Sequence, residues 1–253
     1  MARRDEIIAY CDQLLDATSF EDYGPNGLQV PGAEQVQAIA TGVSANLEFL
    51  EAAVESGAQL ALVHHGLLWG DRLEALSGPT AARLRALLCA GASLAAYHLP
   101  LDAHPQIGNN ALLRDRLGLA DDGKPFGEAR GRPIGTVGRS DRPLGISELE
   151  SRLREATGNE PLVFDSGPDE IETVGIVSGG GSFAIGEAGR RGLHALVTGE
   201  PSEPAMGEAR EYGIHFLAGG HYATETFGIR RLGELVAERF GVAHRFIDVP
   251  NPV

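Results

Sequence analysis

Two adjacent imidazoles, His64 and His65, close the apolar run Leu60-Ala61-Leu62-Val63, and Gly66 follows them. Imidazoles at the mouth of a buried strand are poor packing material and good metal ligands. On a regular strand, neighbours point to opposite faces. The pair can therefore share a site only if the strand ends there, which Gly66 permits. A second cluster, Tyr97-His98-Leu99-Pro100-Leu101-Asp102-Ala103-His104-Pro105, follows another apolar strand. Asp102 is a hard anionic donor there, although alone it reads as a turn or cap residue; His98 and His104 could ligate or move protons. In the third, Gly219-Gly220-His221-Tyr222-Ala223-Thr224-Glu225, a helix that starts by His221 sets His221 and Glu225 on one face, four residues apart.

His64, His65, Asp102, His221 and Glu225 together offer three imidazoles and two carboxylates. That exceeds the needs of one four-coordinate catalytic zinc with an open position. It suits two divalent ions about 3.5–4 Å apart, bridged by a carboxylate, which generate a nucleophile from water near neutral pH. Mixed nitrogen and oxygen donors accept zinc, iron, manganese or cobalt without choosing among them. Ser178-Gly179-Gly180-Gly181-Ser182 is either an anion cradle or a permissive turn. It is not a P-loop, because no Gly-Lys-Ser/Thr follows. Glu200, in Thr198-Gly199-Glu200, stands at the rim of the same region.

The elements that must position these residues alternate. An amphipathic helix over 3–17 precedes a break at Pro25-Asn26-Gly27. Then come a strand near Val36–Val43, a helix near Leu47–Glu55, a strand at Leu60–Val63, a helix near Thr80–Ala90, a strand at Ser93–Tyr97 and a helix near Asn109–Leu117. Such alternation predicts βαβ units and a largely parallel sheet. The middle reads as a strand at Pro133–Gly138, a helix at Ile146–Ala156 and a short strand at Leu162–Phe164. From residue 172 the first pattern returns. Glu172 to Ser178 resembles Gln37 to Ser44, and Ala195-Leu196-Val197-Thr198 resembles Ala61-Leu62-Val63-His64. Ser44 lies 20 positions before His64, as Ser178 does before Thr198. Gly66–Gly78 accounts for the greater length of the first copy. The expected fold is α/β, two intertwined repeats with mixed, largely parallel sheets, divided as residues 1–125 and 126–253. Ligands in such sheets gather at the carboxyl ends of the strands, where all three clusters lie.

The chain has 253 residues, 43% of them hydrophobic and 22% charged, the balance of a globular protein. A net charge of -14, with Lys124 the only lysine, opposes a nucleic-acid-binding surface. No apolar stretch is long enough for a bilayer, and no signal-peptide core follows Met1, so a cytoplasmic location is expected. Cys11 and Cys89 read as two small hydrophobes in helices, not a disulfide or metal cluster.

Across nearly the whole chain the motifs resemble those of the GTP cyclohydrolase I type 2 homologs, the YbgI-like dinuclear metal proteins. They are Asn26-Gly27-Leu28-Gln29-Val30, His64-His65-Gly66-Leu67-Leu68-Trp69, His98 through Asp102, Gly108-Asn109-Asn110, Ser178 through Ser182, and Gly220 through Glu225. The resemblance implies that His64, His65, Asp102, His221 and Glu225 are the metal ligands, with Glu225 bridging. It also implies a toroidal homo-hexamer. One departure is Leu99-Pro100, where the family often has a small polar residue after the position of His98. The expected function is hydrolysis of a small nucleotide-like or phosphorylated substrate, with His98 or His104 relaying a proton. A metal-dependent scaffold or regulatory partner without turnover is the alternative.

Overall fold

A computed structural model describes residues 1–70 and 76–253. Residues 71–75, within the Gly66–Gly78 stretch, lie outside that description. The chain divides into two compact units, Met1–Leu101 with Gly228–Val249, and Asp102–Phe227 with Pro250–Val253. Residues 102–125 go with the second unit because the helix Asn109–Arg116 packs on the strand Arg132–Leu144. The chain returns to the first unit at Gly228.

In the first unit Ala2–Arg3 pairs separately with Gln35–Val36, and five further described strands form a sheet ordered Ala243–Phe246, Ala38–Ser44, Leu60–His65, Ser93–Ala96 and Gly27–Val30. The first four run parallel and the last is antiparallel. Leu60 to His64 are all buried, as expected of a parallel strand covered on both faces. The helix Leu47–Glu55 starts where predicted, because the Asn46 side chain accepts a hydrogen bond from the Phe49 N–H. Its Phe49 ring lies against Gly42 so closely that a Cβ on Gly42 would strike the ring. Phe49, Leu50, Leu87 and Leu94 anchor this core.

The second unit repeats the plan. Ile171–Val177, Ala195–Thr198 and His215–Ala218 are parallel neighbours in that order. Leu162–Phe164 lies antiparallel to the last of them, as Gly27–Val30 does in the first unit. On the other side of Ile171–Val177 lies Arg132–Leu144, antiparallel to it, in the place that the parallel strand Ala243–Phe246 takes in the first unit, and Ala120–Asp121 pairs beyond it. The register bears out the duplication. Gly42 pairs with Val63 and Ile176 with Val197, as the alignment of Ser44 with Ser178 and His64 with Thr198 demands. Leu149, Leu153, Ile176, Val197 and Leu217 fill this second core.

Arg132–Leu144 extends beyond the predicted Pro133–Gly138. The extension, Arg139-Ser140-Asp141-Arg142-Pro143-Leu144, is too polar for its period to show. Ala243–Phe246, which alternates exposed and half-buried residues, was not predicted either.

This edge strand carries His244, whose Nε2 lies 2.8 Å from the Thr41 hydroxyl. Burial, reinforced by Arg230 and opposed by Glu234, depresses its pKa. A depressed histidine stabilises the fold while neutral, above its unfolded value of about 6.5, and that contribution is lost as pH falls through the lower folded value. Acidification from neutral pH towards 5 should therefore lower the denaturation midpoint of the native chain more than that of His244→Gln. Equal slopes in the two proteins would remove His244 from the account.

Candidate metal centre

In the first unit, the candidate residues stand at the carboxyl ends of its parallel strands. Leu60–His65 carries both histidines, so the strand runs two residues further than predicted, its last pair being Ser44 with His65. The strand stops at Gly66, and there the side chains come together, with the two rings 4.7 Å apart. His98, just past Ser93–Ala96, joins them: its ring is 5.0 Å from that of His64 and 5.5 Å from that of His65. Each of the three offers a ring nitrogen, all within 4.8 Å of one another, a group that could hold a metal ion.

Each imidazole has a partner behind it. His64 is fully buried and its Nδ1 lies 2.9 Å from the Tyr97 carbonyl oxygen. A carbonyl only accepts, so Nδ1 carries the proton and Nε2 the lone pair. The Nδ1 of His65 sits 3.1 Å from the Ser44 hydroxyl. His98 Nδ1 donates to Asp22 Oδ1 at 2.7 Å. This is the carboxylate–histidine pairing that orients metal-site imidazoles. Asp22 also accepts from Asn26 Nδ2 and the Leu99 N–H, both at 2.9 Å. Burial would raise its pKa, but the His98 hydrogen bond and charge, with Asn26 and the Tyr23 N–H, lower it on balance. Asp22 was not predicted; it lies 76 residues from His98, in a loop without periodicity.

In the second unit, Asp102 is 4% exposed and sits in the short helix Leu99–Ala103. Its Oδ1 accepts from Asn109 Nδ2 at 2.8 Å and from the Ser178 hydroxyl at 3.3 Å. Asn110 donates to the Ile134 and Asp102 carbonyls and accepts from the Ser178 N–H at 2.6 Å. His221 opens the helix His221–Thr224, as predicted, and its Nε2 lies 3.2 Å from Glu225 Oε2. Its Nδ1 is 3.3 Å from Glu200, which thus serves as its orienting acid. Burial opposes charge on His221, but Glu225 and Glu200 together raise its pKa to about 9.

The Ser178–Ser182 segment resolves as a structural turn. Its Ser178, Gly179 and Gly181 N–H groups donate to Asn110, Thr224 and Thr198 side chains, so three donors of an anion cradle are already committed. The turn also makes room for the site. Gly179 has φ +60°, and a Cβ there would overlap Glu225 Oε1 and stand 3.0 Å from His221 Nε2. His104 has a different setting: its Nδ1 accepts from the Gln106 and Ile107 N–H groups, both at 3.2 Å, and fixes a turn.

In the first unit three imidazoles, each with a hydrogen-bonding partner behind it, converge on a space that could hold a metal ion. In the second unit His221 Nε2 lies beside Glu225, Asp102 is held by Asn109 and Ser178, and Gly179 keeps space beside Glu225 and His221.

These features define a class: a duplicated α/β protein with histidine and carboxylate donors at the carboxyl ends of its strands. The Duf34/NIF3 (NGG1p interacting factor 3) family model matches residues 2–252, and the chain belongs to that family. A relative from Deinococcus radiodurans, named GTP cyclohydrolase 1 type 2 homolog, is 41% identical over 98% of this chain and 94% of its own. One of the same name from Escherichia coli strain K12 is 41% identical over 99% of both chains. The solved structure of the protein ybgI, described as of unknown function, shares 40% identity and a TM-score of 0.93 over 100% of both chains. Among the described residues, no helix is long and apolar enough to cross a membrane.

Proposed function

We propose that the chain is a dinuclear divalent-metal hydrolase of a small nucleotide-like or phosphorylated substrate, working in the cytoplasm as a homo-hexamer. The observation that carries this reading is the donor set itself: imidazoles and buried carboxylates, with His64, His65, His98, His221 and Asp102 each aligned by a second hydrogen-bonding group. In this reading His64, His65, Asp102, His221 and Glu225 would hold one pair of ions, with Glu225 as the shared ligand. Ions so bound would lower the pKa of water towards neutrality and polarise an oxygen of the substrate. Asp102, held by Asn109, and His221, held by Glu200, present fixed donors. His98 passes a proton, because Asp22 fixes its Nδ1–H and leaves the other ring nitrogen facing the imidazole cluster. His104, engaged at Nδ1 by two backbone N–H groups, is the weaker candidate for that role. The relatives' name supports a nucleotide as substrate, and the family resemblance supports the hexamer.

Metal analysis after zinc or manganese loading, followed by a panel of nucleoside triphosphates and phosphomonoesters, tests the proposal. Glu225→Gln should lower bound metal and any hydrolysis together. Unchanged metal content in that variant would refute the bridging role. Metal binding without turnover across the panel would favour a scaffold.

A further inference from the structure

The first unit leaves two large aromatic rings open at the imidazole cluster. Trp69 is 45% exposed and Tyr23 44%. Isolated exposed apolar side chains are ordinary, but these two border the same histidine. The Trp69 ring is 5.3 Å from that of His98, at 82°, and 5.9 Å from that of His65. The Tyr23 ring is 6.0 Å from that of His98, at 65°. Neither ring is loosely tethered. Trp69 Nε1 donates to the Gly66 carbonyl at 2.9 Å. Gln29 Oε1 accepts from the Leu67 and Leu68 N–H groups at 2.8 and 3.2 Å. The Gly70 N–H donates to the Tyr23 carbonyl at 2.6 Å, which ties the two ring-bearing loops together. A Cβ on Gly24 would strike the Leu68 carbonyl, and one on Gly66 the Gln29 side chain, so the loops are also in close contact. Leu67 packs on the core while Trp69, two residues on, stays open.

We infer that Trp69 and Tyr23 form a stacking platform for the nucleobase of the substrate, beside the imidazoles of the metal site. Rigid aromatic rings at the edge of a polar site suit a flat heterocycle, because every base offers a π-face and little side-chain freedom is lost. This rests on the nucleotide reading above and names the residues that hold its base.

Trp69 is the only tryptophan, so fluorescence excited beyond the tyrosine band reports this position alone. GMP added to the zinc-loaded protein should quench it saturably, and ribose 5-phosphate should not. By calorimetry, Trp69→Leu should weaken GMP binding about tenfold and Tyr23→Leu somewhat less, while Trp69→Phe keeps most of it. Metal content, measured on each variant, should stay at the native level. GMP binding unchanged in Trp69→Leu, equal quenching by ribose 5-phosphate, or emission shielded by self-association and indifferent to GMP would each overturn the platform. Zinc bound with no response to GMP would refute the platform and leave the metal reading standing. Quenching by GMP in a protein that binds no metal would do the reverse.

Discussion

Gly179→Ala is expected to lose at least half of the bound metal and to unfold several degrees earlier than the native chain. Two effects add. A non-glycine residue at φ +60° costs about 1–2 kcal/mol. The new Cβ would also occupy the space of Glu225 Oε1 and crowd His221 Nε2, so the carboxylate must turn away. Glu225 is 3% exposed, and turning it breaks its contact with His221 inside the fold. At about 2–4 °C per kcal/mol for a chain of this size, the backbone term alone lowers the melting temperature by about 2–8 °C. Metal analysis and thermal denaturation of the same preparation separate the two effects. Full metal occupancy in Gly179→Ala would show that Glu225 is not held where the turn places it.

The second large effect is expected from Asn110→Ala. Asn110 is 1% exposed and bonds three backbone groups, the Ile134 and Asp102 carbonyls and the Ser178 N–H. Truncation leaves these groups without their amide partner in a buried setting, at about 1–3 kcal/mol for each that stays unpaired. A loss of about 3–5 kcal/mol follows, near the upper end for a point change, and about 10 °C in melting temperature. Because Ser178 also hydrogen-bonds Asp102, metal affinity should fall as well. Guanidinium denaturation measures the first and metal titration the second. A change below about 1 kcal/mol would mean that water replaces the amide and that Asn110 holds nothing in place.

The sequence reveals some parts of this molecule better than others, for physical reasons. The parallel strands are legible because burial on both faces makes them unbroken apolar runs, and the repeat is legible because Ser44 with His64 and Ser178 with Thr198 keep one spacing. The register of paired strands then agrees residue for residue. The helix Leu47–Glu55 falls at the bounds read from the sequence, and its cap at Asn46 shows only in the structure. Edge strands such as Ala243–Phe246 are not legible, since a half-exposed strand of four residues has too short a pattern. At the site, the donors themselves announce their chemistry by type and position. Their supports do not. Asp22, Tyr97 and Asn110 act through hydrogen bonds that span 76, 33 and 68 residues of chain, and only folding brings those partners together. Ser178–Ser182 shows the converse: glycines suggest an anion cradle, while the hydrogen bonds they make show a turn that clears room for Glu225.

The central proposal is that His64, His65, Asp102, His221 and Glu225 hold two divalent ions. Metal content of the purified, zinc-loaded and dialysed protein, set against His65→Ala and Glu225→Gln, tests it most directly. Two equivalents of tightly held metal per chain, falling in both variants, is the result predicted here. A native chain that retains no metal, or variants that retain all of it, would contradict the account.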